Sequence, residues 1–94
     1  MQFEWDAGKA ASNRKKHRVT FNEAATVFGD LLAQIFDDPE HSAYEHREII
    51  VGNSLRNRLL MVCFTERAED IVRIFSARLA TRKERQDYEE NATT

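Results

Sequence analysis

The chain has 94 residues, of which 41% are hydrophobic and 32% charged, and a net charge of −2. This length leaves room for one small domain, and the proportion of hydrophobic to charged residues excludes an intrinsically disordered chain. No apolar run approaches the roughly 20 residues that cross a bilayer, and residues 1–9 lack the apolar stretch of a secretion signal. We therefore expect one cytoplasmic domain over residues 1–94 that does not contact a membrane, with residues 91–94 frayed.

The first third of the sequence predicts two helices. Residues 3–5 form a short strand or an extended segment, after which Asp6 can cap a helix over residues 7–17. Residues 20–23, Thr-Phe-Asn-Glu, form a capping box in which the threonine hydroxyl accepts from a helical amide and the glutamate reaches back to the cap. Gly29 is placed to end this second helix.

Four closely spaced apolar segments predict strands, which cover residues 31–36, 44–51, 58–65 and 71–77. A second capping box at residues 81–84, Thr-Arg-Lys-Glu, opens a final helix that runs to about residue 90. Short connections between the strands indicate an antiparallel meander. The predicted fold is α+β, with two N-terminal helices, a four-stranded antiparallel sheet and a C-terminal helix, the helices covering one face of the sheet.

Cys63 is the only cysteine and lies inside the apolar run of residues 59–64. A disulfide within the chain and a cysteine metal site are both excluded. We interpret Cys63 as a small buried hydrophobic residue rather than a nucleophile.

Charge is distributed unevenly along the chain. Residues 1–20 carry +3 and residues 21–46 carry −6, whereas residues 47–85 carry +4 and residues 86–94 carry −3. Charge alone favours a solvated surface of mixed sign over a basic face for a polyanion. In the basic block, however, arginine outnumbers lysine eight to one, and the planar guanidinium suits two-point contact with phosphate.

The sequence gives little support for a phosphate-binding glycine loop or for a metal site. The three glycines are spaced too far apart to form a phosphate-cradling loop. His41 and His46, with Glu40 and Glu45, could bind a cation weakly, but an exposed polar loop is the simpler interpretation. We expect no metal and no cofactor.

Arginines are concentrated on and after the predicted strands, at Arg47, Arg56, Arg58, Arg67, Arg73, Arg78, Arg82 and Arg85. A ribonuclease without a metal needs a base for the 2′-hydroxyl, fixed cations for the phosphorane and an acid for the leaving oxygen. Arginines meet the second need, and Glu84 or Tyr88 are the nearest candidates for proton transfer. Glu84 is better explained as part of a capping box, and Tyr88 equally well as a helix anchor. The pattern alone therefore indicates only a basic α+β domain that could contact RNA.

An ordered set of short motifs, from Phe3 to Glu89, resembles the BrnT toxin family. The opening matches at Phe3-Glu4-Trp5-Asp6, Lys9, Asn13, Lys16-His17, Val19-Thr20-Phe21, Glu23-Ala24, Val27-Phe28 and Asp30. The middle matches at Asp38, His41, Glu45, Arg47, Gly52, Ser54 and Arg58. The most specific matches come last, at Thr65-Glu66-Arg67, residues 73–78 (Arg-Ile-Phe-Ser-Ala-Arg), Glu84-Arg85 and Tyr88-Glu89.

The resemblance implies a fold similar to RelE-type toxins and an endoribonuclease that arrests translation and growth by cleaving RNA. It also implies neutralisation by a BrnA-type antitoxin, in a complex that represses its own promoter through the DNA-binding end of the antitoxin. A dimer or a hetero-tetramer with the antitoxin fits this scheme.

The resemblance also implies roles for residues at matching positions. Arg67 and Arg78 would hold the scissile phosphate. Arg47 and Arg85 would position the RNA, and Glu84 would transfer a proton. Further RNA contacts are expected from Arg58, Arg73, Arg82 and Tyr88.

Two positions depart from the family pattern. Arg18 stands where the family usually has glycine, and it would cost about 1 kcal/mol if that position needs a positive φ. Asn57 stands where glycine is common, and asparagine tolerates that conformation.

Alternatives to the ribonuclease stay open. One is a non-catalytic module that binds nucleic acid or a partner protein through its arginines, which the lack of a convincing acid–base pair favours. Another is a metal-dependent hydrolase that uses His41 and His46. The antitoxin surface is also open. A basic segment could dock on the acidic residues 23–45 and the N-terminal helices, or an acidic segment could cover the arginine face.

Overall fold

The computed structural model describes residues 1–92. Its elements follow the chain as β1 (Gln2–Glu4), α1 (Ala7–His17), α2 (Phe21–Thr26), β2 (Gln34–Asp37), β3 (Glu48–Asn53), β4 (Leu59–Ala68), β5 (Ile71–Leu79) and α3 (Arg82–Ala92). Short 3-10 turns lie at Val27–Gly29 and Pro39–His41. The last helix thus runs beyond its predicted end, and the fraying expected at residues 93–94 lies outside the described residues. No helix of the described chain is long and apolar enough to span a membrane.

The strands of the described chain form one mixed sheet in the order β1-β5-β4-β3-β2. Neighbouring strands from β2 to β5 are antiparallel, as predicted, whereas β1 pairs in parallel with β5. The prediction of a four-stranded antiparallel sheet is therefore wrong, because the sheet has a fifth, parallel edge strand. This short strand pairs with residues 69 positions away, and such a pairing leaves no periodic signal in the local sequence.

Both N-terminal helices begin where their caps predict. The Asp6 carboxylate accepts from the Lys9 amide at 2.9 Å, and the Thr20 hydroxyl accepts from the Glu23 amide at 3.0 Å. The second helix differs from the prediction, because α2 has only six residues and the chain continues to Gly29 as a 3-10 turn. The Glu23 carboxylate also differs, since it bonds to a serine in the turn after β3.

The helices cover both faces of the sheet, whereas the sequence predicts that they cover one. α1 and α2 pack on the first face, around Val19, Phe21, Ala24, Val27, Ile50, Leu60, Val62, Phe64, Val72, Ile74 and Ala77. α3 packs on the second face, where Tyr88 forms a smaller cluster with Val51 and Leu59. On the sheet, the partly buried residues that pack against this second cluster are Ile49 and Met61. α3 therefore leaves much of the second face open.

Asn13 joins α1 to the free edge of β5. Its amide nitrogen donates to the carbonyls of Val19 and Ala77 at 3.0 and 2.8 Å, and its amide oxygen accepts from the Ala77 N–H at 3.1 Å. Asn13 therefore takes the place of a neighbouring strand beyond the end of β1, where β5 needs hydrogen-bond partners. These bonds hold the C-terminal end of α1 beside β5.

Replacing Arg18 with glycine is expected to stabilise the protein by about 1 kcal/mol. Arg18 ends α1 with φ 58° and ψ 34°, in the left-handed region that disfavours a residue with a Cβ. Chemical denaturation of the wild type and Arg18→Gly measures the difference. Arg18→Ala is the control, because it removes the same side chain but keeps the Cβ. Equal stabilisation by both variants would contradict the conformational explanation.

Candidate active site

The open part of the second sheet face forms a groove between the C-terminal end of α1 and the 3-10 turn after β2. We name it the central groove; its volume is about 340 Å³ and its lining includes His17, Asp38, His41, Cys63, Ser76 and Arg78. The register of β4 and β5 places Ser76 opposite Cys63 and Arg78 two residues further along. Arg78 is thus the arginine that the strands bring into the groove.

Arg78 is held by Glu84, in the first turn of α3. Its two terminal nitrogens donate to the two carboxylate oxygens of Glu84 at 2.7 and 2.9 Å. The predicted capping box also forms, with the carboxylate accepting from the Thr81 N–H at 2.8 Å and the Thr81 hydroxyl accepting from the Glu84 N–H at 3.2 Å. Arg78, as the largest cause, and these bonds lower the pKa of Glu84 to about 2. Glu84 is therefore an anion at neutral pH and a weak proton acceptor while the pair is intact.

Acid is expected to destabilise the protein as Glu84 becomes protonated. Its folded pKa of about 2 lies below the ordinary 4.5, so the pair contributes stability above pH 4.5 that is lost as the pH falls toward 2. Because Arg78 is 40% exposed, we expect a loss of about 1–2 kcal/mol, less than the full pKa shift implies. Urea denaturation at several pH values measures it.

Glu84→Gln isolates this contribution, since Glu4 and Glu23 also have pKa values lowered by arginine partners. We expect the variant to lose less stability than the wild type between pH 4.5 and 2. Parallel profiles for the two proteins would contradict the assignment.

His41 is oriented by a buried carboxylate. Asp38 is 8% exposed, and its two carboxylate oxygens lie 3.1 and 3.0 Å from Nδ1 of His41. The His41 side chain is 61% exposed, so the imidazole is fixed at one nitrogen and accessible elsewhere. A histidine held in this way by a carboxylate is suited to proton transfer through its other nitrogen.

Cys63 belongs to the same wall of the groove. Its Sγ lies 3.5 Å from Oδ2 of Asp38, and burial, the largest cause, together with Asp38 raises the pKa of Cys63 to about 11. A thiol with that pKa is protonated at neutral pH, whereas nucleophilic attack needs the thiolate. This agrees with the interpretation of Cys63 as a non-nucleophilic residue, but its side chain is half-buried on the groove wall rather than fully buried as expected.

His17 lines the groove from α1. It is half-buried in the basic last turn of that helix, and the bonds of Asn13 to β5 hold this turn against the sheet. Two histidines and one arginine thus line a single groove, which provides two groups for proton transfer and one fixed cation. Sequence patterns did not identify either histidine as a proton-transfer group, although both stand at positions that match the family motifs.

Arg47 stacks on Phe75 near the central groove. Its guanidinium carbon lies 3.8 Å from the centroid of the ring. A terminal nitrogen also contacts Glu45 at 3.3 Å, whereas the buried Nε has no hydrogen-bond partner among the described residues. Phe75 is the extra residue of a β-bulge, because Cys63 pairs with Ser76 on one side of it and the next β4 residue pairs with Ile74 on the other.

Arg67 and Arg73 lie toward the turn of the β4–β5 hairpin. Both donate to Oε2 of Glu4 in β1 at 2.7 Å, and both lower the pKa of Glu4. Arg67 lies six residues along β4 from Met61, the partner of Arg78, a distance of about 20 Å in an extended strand. The structure therefore does not bring Arg67 and Arg78 together at one phosphate.

The other residues selected from the sequence lie outside the central groove. Arg58 pairs with the buried Glu23 of α2. Tyr88 is buried between α3 and the sheet. Arg82 and Arg85 are exposed at the beginning of α3. Of these four, Arg58 and Tyr88 contribute to packing of the fold.

The cation cluster considered from the sequence is not assembled around His41. Among residues 1–92, Asp37, His46 and Glu48 bring potential ligand atoms within 4.8 Å of one another at the exposed β2–β3 pair. Nε2 of His46 lies 3.2 Å from Asp37, so these two side chains already contact each other within the protein.

The fold and the central groove define a small α+β protein in which a groove on the open sheet face is lined by an arginine of β5, a histidine of α1 and a histidine of the 3-10 turn after β2. Residues 5–84 match the sequence profile of a family described as the ribonuclease toxin BrnT of type II toxin–antitoxin systems. The chain belongs to this family, which confirms the resemblance drawn from its motifs. The matched range contains the whole lining of the central groove and Glu84.

A solved structure has the same fold. The crystal structure of the ribonuclease toxin BrnT from Brucella abortus is similar with a TM-score of 0.69 and 23% sequence identity, over 87% of this chain and 99% of that chain. A likeness at this identity establishes the fold alone. No curated protein sequence matches the chain.

Proposed function

We propose that the protein is an endoribonuclease toxin that cleaves RNA without a metal ion and thereby arrests translation and growth. The observation that carries the proposal is the lining of the central groove, where Arg78, His17 and the Asp38–His41 pair share one cavity. Membership of the BrnT family supports it. The lack of a convincing acid–base pair in the sequence favours the alternative of a non-catalytic module. In our proposal His17 and His41 form that pair.

In the proposed reaction, the 2′-oxygen of one nucleotide attacks the adjacent phosphorus and the bond to the 5′-oxygen breaks. His41 accepts the 2′-hydroxyl proton, because the Asp38 carboxylate stabilises the imidazolium that forms. His17, in its protonated form, gives a proton to the leaving 5′-oxygen. The products are a 2′,3′-cyclic phosphate and a 5′-hydroxyl, and proton exchange with water restores both histidines.

Arg78 stabilises the pentavalent phosphorane in this scheme. Its two terminal nitrogens donate hydrogen bonds to Glu84 in the free protein. The same pair of donors suits two-point contact with a phosphate. RNA binding would replace the carboxylate with the phosphate, and Glu84 would lose the largest cause that lowers its pKa, while the hydrogen bonds to Thr81 would remain. Glu84 therefore holds Arg78 in place before RNA binds, and it becomes a better proton acceptor once Arg78 has moved to the phosphate.

We assign the guidance of RNA across the open face to Arg47, Arg67, Arg73, Arg82 and Arg85. Long-range attraction between these cations and the phosphate backbone supports this role, because it does not require contact with one phosphate. Arg58 and Tyr88, expected from the sequence to contact RNA, are assigned to the stability of the fold, since both are engaged in buried contacts.

We further propose that the whole chain is one cytoplasmic domain neutralised by a BrnA-type antitoxin. An acidic antitoxin segment would complement the open face and exclude RNA from Arg78. The complex, a dimer or a hetero-tetramer, would bind promoter DNA through the antitoxin rather than through this chain.

Induction of the chain in bacteria, with and without a BrnA-type antitoxin, tests the toxin function. We expect growth arrest and rapid cleavage of cellular RNA, both of which the antitoxin abolishes. Normal growth, together with steeply salt-dependent RNA binding and intact RNA, would instead indicate a non-catalytic module.

A further inference from the structure

A second groove lies beside the central groove, along α1. We name it the side groove; its volume is about 220 Å³ and its lining includes Lys9, Ser12, Lys16, His17, Phe75 and Ser76. His17 and Ser76 also line the central groove, so the two grooves adjoin at these residues. Lys9 and Lys16 lie on the same side of α1, because residues seven positions apart return to one helix face.

Phe75 gives the side groove an aromatic wall. Arg47 stacks on the ring with its guanidinium carbon 3.8 Å from the centroid, and Arg47 is not among the residues that line the side groove. Nζ of Lys9, which does line the groove, lies 5.4 Å from the same centroid. A flat ligand can replace this exposed ammonium on the ring, and the ammonium can then pair with an anion.

We propose that the side groove binds the nucleotide next to the scissile phosphate, with its base stacked on Phe75 and its phosphate contacted by Lys9 and Lys16. The inference rests on the proposed ribonuclease function and makes single-stranded RNA the substrate class. Stacking on an aromatic side chain requires an unpaired base, and it tolerates any of the four bases. Because the two grooves adjoin at His17 and Ser76, a base in the side groove would lie beside the bond that Arg78 and the histidines act on.

Binding of a labelled tetranucleotide with 2′-O-methyl groups, which cannot be cleaved, tests the subsite independently of catalysis. We expect Lys16→Ala to weaken binding about threefold to tenfold. The slope of the logarithm of the binding constant against the logarithm of the salt concentration should also fall by the amount of about one phosphate contact. Lys15→Ala is the matched control, because Lys15 carries the same charge on the same helix but does not line the side groove. Equal losses of affinity in the two variants would overturn the proposal.

An abasic residue in the tetranucleotide tests the stacking. We expect the wild type to lose about fivefold or more in affinity when the stacked base is removed, and Phe75→Leu to bind the intact and abasic RNA alike. Thermal unfolding checks that Phe75→Leu is folded. Lys9 is exposed, and Lys9→Ala is expected to weaken RNA binding in the same way as Lys16→Ala. An abasic penalty in folded Phe75→Leu as large as in the wild type would overturn the proposal.

The outcomes separate the subsite from the ribonuclease. A wild type that binds the RNA with these variant effects but never cleaves it would refute the ribonuclease alone. A wild type that cleaves RNA, with Lys16→Ala and Lys15→Ala indistinguishable in binding, would refute the subsite alone. Variants that keep RNA affinity but lose affinity for an antitoxin would assign the side groove to a protein and overturn the proposal.

Discussion

Arg78→Ala is expected to lower the rate of RNA cleavage by about 10²–10³-fold, because a fixed donor that stabilises a transition-state anion contributes about 3–4 kcal/mol. The variant should also lose the ability to arrest growth. Arg67 cannot substitute, since it lies at the other end of the hairpin and is paired with Glu4. Single-turnover cleavage of a labelled RNA by purified protein measures the loss.

Arg14→Ala is the matched control for Arg78→Ala, because Arg14 is an exposed arginine outside the central groove. Arg78→Lys keeps the charge but loses the two-point geometry, and it is expected to retain about a tenth of the wild-type rate or less. Thermal unfolding separates lost chemistry from lost structure, since Glu84 loses its partner in Arg78→Ala. A folded Arg78→Ala protein that cleaves at the wild-type rate would show that Arg78 does not stabilise the reaction.

Glu23→Ala is expected to reduce the free energy of unfolding by about 3–5 kcal/mol, a large part of the stability of a small domain. Glu23 is 6% exposed, and its carboxylate accepts from the Ser54 hydroxyl at 2.7 Å, from Nε of Arg58 at 2.9 Å and from a terminal nitrogen of Arg58. Arg58 is also the largest cause that lowers the pKa of Glu23. Removal of the carboxylate leaves the Ser54 hydroxyl without this acceptor and the Arg58 guanidinium with the Arg18 carbonyl in place of an anion. Urea denaturation measures the cost.

Arg58→Ala is expected to destabilise the protein through the same pair, so a loss of toxicity in this variant would reflect unfolding. Replacing both charges, as in Glu23→Gln with Arg58→Met, is expected to recover part of the stability, because no buried charge is then left unpaired. An Arg58→Ala protein with wild-type stability and weaker RNA binding would instead support the RNA contact expected from the sequence.

Local structure could be predicted because its signals are local. Asp6, Thr20 and Thr81 each cap a helix through a hydrogen bond to the third residue along the chain. Asn57 has a φ of 62°, as its place in a turn that favours glycine suggested. The proximity of Arg78 and Glu84, six residues apart, also follows from the short turn between a strand and a capped helix.

The remaining features depend on contacts between distant residues. Glu23 meets Arg58 across 35 residues, and this pairing draws the carboxylate away from its predicted place in a capping box. Glu4 meets Arg67 and Arg73 only because β1 joins the sheet beside β5. No local periodicity encodes either contact. Sequence patterns therefore cannot distinguish these arginines, which pair with carboxylates of the fold, from arginines that are free to contact RNA.

The candidate active site was only partly predictable for the same reason. Arg78 and Glu84 were selected from the family motifs, whereas His17 and His41 lie on separate elements that the fold brings to one groove. Asp38 and His41 are only three residues apart, so their contact is local. The burial of Asp38, however, depends on the packing of this loop against β4, which the local sequence does not encode.

Incubation of the purified protein with an end-labelled RNA in excess EDTA decides whether the central groove cleaves RNA by internal attack of the 2′-oxygen. We expect cleavage to persist in the chelator and to give fragments that end in a 2′,3′-cyclic phosphate. A single 2′-deoxy substitution should block cleavage at that position, and Arg78→Ala should produce none of the fragments. Cleavage that stops in EDTA, or fragments that begin with a 5′-phosphate, would contradict the proposed reaction, because they require a metal ion or attack by water.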